Sequence, residues 1–329
     1  MIPANPEPWE PNAWRLLLKT AIRDSTTLCQ HLGLDVVDID RAPDFPVRVP
    51  FPFLRRMAKG DPNDPLLKQV LATSSEREKV DGFVADAVGE TGRFIAPALM
   101  QKYAHRALLI ASPACAVHCR YCFRRQFPYE AHGPSVLDHA MQALVADPEI
   151  TEIILSGGDP LTLPDEAFSV LLIQLYGISH LRRIRIHTRW PIVIPERITQ
   201  ALLDVFQASP KPITVVVHCN HANELDADTA RAFKLLRIAG VTLLNQAVLL
   251  GGVNDDTERL SELSEQLFNQ GVLPYYLHLL DPVDGAHHFD VSAATGIELI
   301  RALRDRLPGY LVPRLVRETA GEPAKTLVI

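Results

Sequence analysis

The stretch Cys115-Ala116-Val117-His118-Cys119-Arg120-Tyr121-Cys122 decides how the rest of this 329-residue chain is read. Its cysteines are separated by three and then two residues, and so short a loop curls all three sulfurs toward a common centre. Three thiolates gathered in this way suit three irons of a [4Fe-4S] cube. The other cysteines, Cys29 and Cys219, are distant singletons, so the fourth iron has no protein ligand nearby and stays open to a small molecule. Zinc competes for such a loop, but structural zinc takes four ligands, usually in paired Cys/His knuckles. His118 offers a fourth donor in principle, at a spacing unlike that of a known knuckle. A disulfide is disfavoured by the odd number of cysteines and by the lack of any secretory pattern. Cys29 falls inside an apolar helical stripe and reads as core packing.

Outward from the loop, short apolar runs alternate with stretches long enough for a helix. The runs cover 107–111, 152–156, 183–188, 213–218, 241–249 and 275–280, each rich in Ile, Leu or Val. That alternation is a βα repeat, which builds a parallel sheet. Six units with no dinucleotide fingerprint after the first strand suit an open, partial (β/α)6 barrel, an α/β fold whose working loops lie at the C-terminal strand ends. Residues 1–95 read as an N-terminal helical extension. Apolar residues recur there every three to four positions from Trp9 to about Leu34, and Pro43, Pro46, Pro50 and Pro52 then enforce an extended connection. A turn at Asp61-Pro62-Asn63-Asp64-Pro65 feeds a short helix ending near Thr73. Residues 96–285 form the barrel core, and 286–329 a C-terminal segment in which a strand and a tight turn deliver Lys325.

Composition bounds the function. The chain is 47% hydrophobic and 22% charged with a net charge of -6, which suits a large globular core and speaks against a nucleic-acid-binding surface. No run of about 18 apolar residues is present to span a membrane. The N-terminus lacks a basic start and apolar run, and thiol chemistry calls for a reducing compartment, so the expected location is cytoplasmic.

The loop spacing CxxxCxxC resembles the signature of the radical S-adenosylmethionine (radical SAM) enzymes, in which the sulfonium cofactor chelates the open iron. After the second run comes Ser156-Gly157-Gly158-Asp159. Taken alone, two glycines at a strand end are a turn; beside the cysteine loop they match the motif that binds the amino group of that cofactor. His218 and Gln246 are polar residues on otherwise buried strands, and from residue type alone an internal hydrogen bond and a ligand contact are equally good readings. Asp281, Glu318 and Lys325 alone read as solvated or salt-bridged charges.

The order of further motifs changes that reading. Tyr103 and Arg106 precede the first run, and Arg124 follows the cysteines. Asn245-Gln246-Ala247-Val248 leads into Gly252-Val253-Asn254-Asp255, then come Pro274-Tyr275-Tyr276, Asp281 and His288-Phe289, and a Gly-containing turn ends in Lys325. This order resembles the lysine 2,3-aminomutase family, from about residue 9 to the end. Phe123-Arg124-Arg125-Gln126-Phe127-Pro128-Tyr129 and Gly321-Glu322-Pro323-Ala324-Lys325 are most similar to the bacterial branch whose product modifies translation elongation factor P. The resemblance implies three cofactors: a [4Fe-4S] cluster on Cys115, Cys119 and Cys122, S-adenosylmethionine, and pyridoxal 5'-phosphate held covalently by Lys325. Lys102, Tyr103 and Arg106 take the positions that bind the pyridoxal phosphate, with Lys102 replacing an arginine of clostridial relatives. Ser156, Gly157, Gly158, Asp159, His218 and Gln246 take those around the adenosyl cofactor.

For the substrate, the resemblance implies that Arg124 clamps the carboxylate of L-lysine, while Asp281 and Glu318 hold its side-chain ammonium. Glu318 stands where free-lysine enzymes carry aspartate. The expected activity is conversion of L-α-lysine to β-lysine, of R configuration by resemblance, for β-lysylation of elongation factor P. A small electron donor such as flavodoxin or ferredoxin is the expected partner. No cysteine cluster follows Lys325, so the zinc site between subunits of clostridial relatives is not expected, and the oligomeric state stays open. The rivals are an aminomutase for another amino acid or for secondary metabolism, and a non-catalytic iron-sulfur module.

Overall fold

The computed structural model describes residues 7–35, 38–129 and 137–329; the start of the expected N-terminal extension, residues 1–6, lies outside them. Ten strands form one sheet in sequence order: β1 (Phe94–Ala96), β2 (Leu99–Tyr103), β3 (Arg106–Ser112), β4 (Glu152–Gly157), β5 (Arg183–Thr188), β6 (Ile213–Val217), β7 (Thr242–Val248), β8 (Leu273–His278), β9 (Arg314–Arg317) and β10 (Thr326–Leu327). Neighbours from β3 to β9 pair in parallel, and the pairs β1–β2, β2–β3 and β9–β10 are antiparallel. The six apolar runs are β3 to β8, and β9 adds a seventh parallel strand that only the C-terminal segment supplies. A helix follows each of β3 to β8 and covers the outer face, the arrangement that a parallel sheet needs to bury its apolar residues.

Local chemistry explains where these helices start. Asp226 and Thr229 exchange side-chain bonds at the head of Ala227–Ile238, while Asp256 caps Thr257–Asn269 and Thr199 caps Gln200–Gln207. The N-terminal stripe is two helices rather than one. Ala13–Lys19 and Ser25–Leu32 are separated because Ile22 leaves the helix to pair with Val49 and Asp24 caps the second helix through Thr27 N, 2.8 Å. A 3.6-residue periodicity runs through such a break, since both helices bury the same side. Cys29 is packed in the core. The extension is fastened to the barrel by Trp14 edge-on against Trp190 at 5.3 Å and by Arg56 donating to Asp226 and to Glu224 O.

Strand alternation sets up the interior. Along β5, Ile184 and Ile186 are buried against the helices, while Arg185 and His187 face a cavity of about 510 Å³. Gln246 and Val248 of β7 and Tyr276 and His278 of β8 face the same cavity. Among the described residues, no helix is long and apolar enough to cross a membrane.

Candidate active site

The cysteine loop leaves the C-terminal end of β3 and is held on all sides. Arg48 donates to Cys115 O at 2.7 Å, and His118 N donates to Arg48 O. Fully buried Arg120 donates to Glu76 and to the carbonyls of Phe45 and Pro46. Arg125 joins the same Glu76 carboxylate and donates to Gly285 O at 2.8 Å. The extension therefore builds the bed of the loop. Arg189, just past β5, donates to Cys119 Sγ at 2.8 Å while its other terminal nitrogen donates to Gln69 and Glu224. Nothing in the cysteine motif itself pointed to Arg189.

Gly157 and Gly158 are dictated by that loop. A Cβ on Gly157, which sits at φ +120, would lie 2.5 Å from Ser112 O, and one on Gly158 would lie 2.5 Å from Ala114 O. The strand end presses directly on the chain that enters the loop, with Gly158 N donating to Ser112 O and Asp159 N to Ala114 O, both at 2.8 Å. Asp159, expected beside the adenosyl cofactor, has its carboxylate committed within the wall. It accepts from Thr188 Oγ1 at 2.8 Å and from the backbone of Leu161 and Arg189. Burial nonetheless pushes its pKa up to about 7. It joins the ends of β4 and β5.

On the inner wall, the Gln246 amide donates to His218 Nε2 at 2.7 Å, and burial pushes His218 down to about 3, leaving a neutral ring. His187 lies 5.9 Å from His218, ring to ring. Among the described residues, His187 Nε2 and His278 Nε2 are buried without a partner, and burial lowers the pKa of both. Buried polar atoms without partners, facing one cavity, mark places for a polar ligand. Neither histidine was singled out from the sequence, although the alternating pattern of β5 and β8 carried the signal.

The opposite side of the cavity is built around Glu318, just after β9. Its carboxylate accepts from Lys102 at 2.8 Å, from Lys325 at 2.6 Å and from the Tyr103 hydroxyl. Tyr103 and Lys102 lie on β2, so this one carboxylate ties the two flanks of the open sheet together. Burial would raise its pKa, but Lys325 and Lys102 overcome that and bring it to about 2. Arg106 stacks on the Tyr103 ring at 4.8 Å. Asp281 follows β8 with Oδ1 buried and unpartnered; burial pushes it up to about 7, against the pull of Lys325.

Arg124 uses four of its five N–H donors near the cysteines. Its Nε and Nη2 each donate to Glu90 at 2.7 Å, and Nη1 donates to Ser156 Oγ and Gly157 O. The ring of Phe123 lies 4.9 Å from the guanidinium carbon. Glu90 had no sequence signal, since it falls in none of the motifs or apolar runs.

Residues 109–263 match the Radical SAM superfamily. The chain is 43% identical to the L-lysine 2,3-aminomutase of Haemophilus influenzae over 99% of this chain and 98% of that one. It is 46% identical to the L-lysine 2,3-aminomutase of Escherichia coli K12, covering 95% and 93%, and 35% identical to that of Clostridium subterminale, covering 84% and 67%. The chain belongs to the lysine 2,3-aminomutase family.

Radical SAM enzymes of this family work with a [4Fe-4S] cluster and S-adenosylmethionine, and the cavity fits both. Cys115, Cys119 and Cys122 all line it, yet among the described residues no three His, Cys, Asp or Glu side chains converge on a point where one metal ion would sit. A cube spreads its ligands over separate irons, and three cysteines lining one cavity can supply them. Burial raises the thiol of Cys115 and pushes that of Cys122 up to about 11; coordination by iron is what makes thiolates of such groups. His218 and Gln246 line the same cavity as the three cysteines, as do Ser156, Gly157 and Gly158. Lys325 lines the same cavity.

Proposed function

We propose that this aminomutase converts L-lysine to (R)-β-lysine, that it uses pyridoxal 5'-phosphate on Lys325 besides the cluster and S-adenosylmethionine, and that its product serves β-lysylation of elongation factor P. The observation that carries the reading is one cavity lined by the three cysteines and Arg124 together with Lys325, Glu318 and Asp281. A diamino acid is cationic at one end and anionic at the other, and these walls match it. Two carboxylates at the far end favour an ammonium and disfavour an acidic side chain.

When bound, the cofactors supply a radical able to take hydrogen from carbon and a π system through which an amino nitrogen can migrate. The chain's own task is placement. Arg124, a planar fork, addresses the carboxylate; Asp281 and Glu318 address the side-chain ammonium; Lys102, Tyr103 and Arg106 line the phosphate end of the pyridoxal site. Ser156, Gly157, Gly158, His218 and Gln246 hold the adenosyl cofactor, with Asp159 bracing the strand ends beneath it. Neutral His218 accepts hydrogen bonds without adding charge. Enclosure by the strands keeps water from a reactive carbon centre. A flavodoxin- or ferredoxin-type donor supplies the electron.

Anaerobically reconstituted protein, given L-lysine, S-adenosylmethionine, pyridoxal phosphate and a strong reductant, is expected to yield (R)-β-lysine by chiral mass spectrometry. Cys119→Ala and Lys325→Ala should each abolish it, the first with loss of bound iron and the second with loss of the pyridoxal absorbance. Deoxyadenosine without β-lysine would overturn the lysine assignment, and the S isomer would overturn the elongation-factor role.

A further inference from the structure

Arg124 cannot clamp a substrate as it stands. A guanidinium has five N–H donors. Both edges of this one are in use: Nε and Nη2 grip the two oxygens of Glu90 at 2.7 Å, and Nη1 gives both its hydrogens, to Ser156 Oγ at 3.1 Å and Gly157 O at 3.0 Å. A single N–H on Nη2 is left over. A carboxylate from outside can be held by two parallel bonds only if one of these partners leaves. Gly157 O is part of the strand end that presses on the cysteine loop, and Ser156 lies on β4 in the sheet interior. Glu90 lies in a turn.

The turn is closed by its own hydrogen bonds and tied to its neighbours through Arg93 O, which accepts from Gln101 N, and Val84 O, which accepts from Asp284 N. Asp86 closes it by accepting from the backbone of Glu90 and Thr91, and Gly89 and Gly92, at φ +64 and +87, flank the glutamate. Residues 91–93 are exposed. The turn also touches the other end of the cavity. Val84 N donates to Pro282 O, next to Asp281, and a Cβ on Gly89 would lie 2.9 Å from that of Ala320, two residues beyond Glu318. Glu90 itself lines the cavity and is buried.

We propose that Glu90 is a gating residue for substrate entry: its carboxylate occupies Arg124 in place of the substrate's α-carboxylate and is exchanged for it on binding. The inference rests on the reading of Arg124 as the carboxylate clamp. Glu318 and Lys325 are paired in the same sense, an internal ammonium on the carboxylate that faces the substrate's cationic end. Exchange conserves charge at Arg124, so the buried guanidinium is never left unpaired. A ligand without a carboxylate has nothing to offer in exchange and leaves the gate shut. Glu90 thereby selects amino acids over plain amines.

The test compares wild type and Glu90→Gln, both loaded with cluster and pyridoxal phosphate, by calorimetric titration with L-lysine and with 1,5-diaminopentane, which is lysine without its carboxylate. A glutamine offers one acceptor and one clashing donor to the guanidinium edge, so the competitor is weakened. L-lysine should bind on the order of tenfold more tightly to the variant, with the diamine unchanged within about twofold. Unchanged or weaker L-lysine binding, or equal tightening of both ligands, would show that Glu90 is a brace for Arg124 and not a gate. Hydrogen exchange on the wild type needs no variant: amides of residues 86–93 should exchange faster when L-lysine is bound, and slower or unchanged exchange overturns the proposal. An enzyme for another amino acid would fail the β-lysine assay yet show the same Glu90→Gln effect with its own substrate, which separates the two readings.

Discussion

Replacing Glu318 by glutamine removes the one negative charge that Lys102 at 2.8 Å and Lys325 at 2.6 Å share, while keeping the side chain's size. Two routes give the magnitude. The folded carboxyl titrates at about 2 against an ordinary 4.5, a difference of between two and three units, which corresponds to about 3 kcal/mol. Breaking a buried ion pair by removing one partner costs about 3–5 kcal/mol, and the Glu318 side chain is only 8% exposed. The two agree near 3 kcal/mol. For a chain of this length that is a fall of about 4 °C in Tm. Because the folded pKa is depressed, the stabilisation is fully present above the ordinary carboxylate range. It is lost as pH falls from about 4.5 toward 2. Urea unfolding of the ligand-free protein and of Glu318→Gln at pH 7, 4.5 and 3 checks this. The gap should be widest at pH 7 and shrink steadily below 4.5. A gap under about 1 kcal/mol at pH 7, or one that does not narrow in acid, would refute the claim that this carboxylate holds the two lysines and closes the sheet.

Gly158→Ala drives a Cβ to 2.5 Å from Ala114 O and 2.7 Å from the Pro113 carbonyl carbon, both backbone atoms. The cysteine loop must shift at a cost of about 1–3 kcal/mol, and iron bound per chain after reconstitution should fall while far-UV circular dichroism is retained; full iron content would count against it. Asp281 is held up at about 7 by burial, with Lys325 lowering it, Glu318 raising it, Lys102 lowering it and Glu90 raising it. Taking up an ammonium requires the ionised form, so L-lysine should bind more tightly as pH rises toward 7 and release a proton, seen by calorimetry in buffers of different protonation enthalpy. Binding without proton release at pH 6 would contradict it. A carboxyl whose folded pKa is raised weakens folding as pH climbs from about 4 to 7. Asp281→Asn should therefore raise the ligand-free Tm more at pH 8 than at pH 4 while weakening L-lysine binding.

The barrel and the metal loop are matters of short-range pattern. Short runs rich in Ile, Leu or Val, separated by helix-length stretches, predict β3 to β8, and each strand appears at its run. Three cysteines within eight residues are legible as one motif, and all three line one cavity. Ser156-Gly157-Gly158 was legible as a special strand end, although its glycines serve close packing against the chain at 112–114. The helical stripe from Trp9 to Leu34 resolves into two helices, because Ile22 leaves the helix to pair with Val49.

What tertiary structure alone decided is the pairing of charges. Arg124 finds Glu90 across 34 positions, and Glu318 finds Tyr103 across 215. The first contact needs the turn before β1 to reach the cysteine loop, and the second needs Tyr103 of β2 to meet Glu318 just after β9. An acidic residue outside the motifs and apolar runs carries no periodicity, and its energy depends on burial and on partners brought from elsewhere. Side chains of His187, His278 and Arg189 gain their meaning in the same way, from facing one cavity. Local geometry specifies elements and motifs; Coulomb interactions and desolvation, which act between residues remote in sequence, specify which of the site's groups are held and which are left open to a ligand.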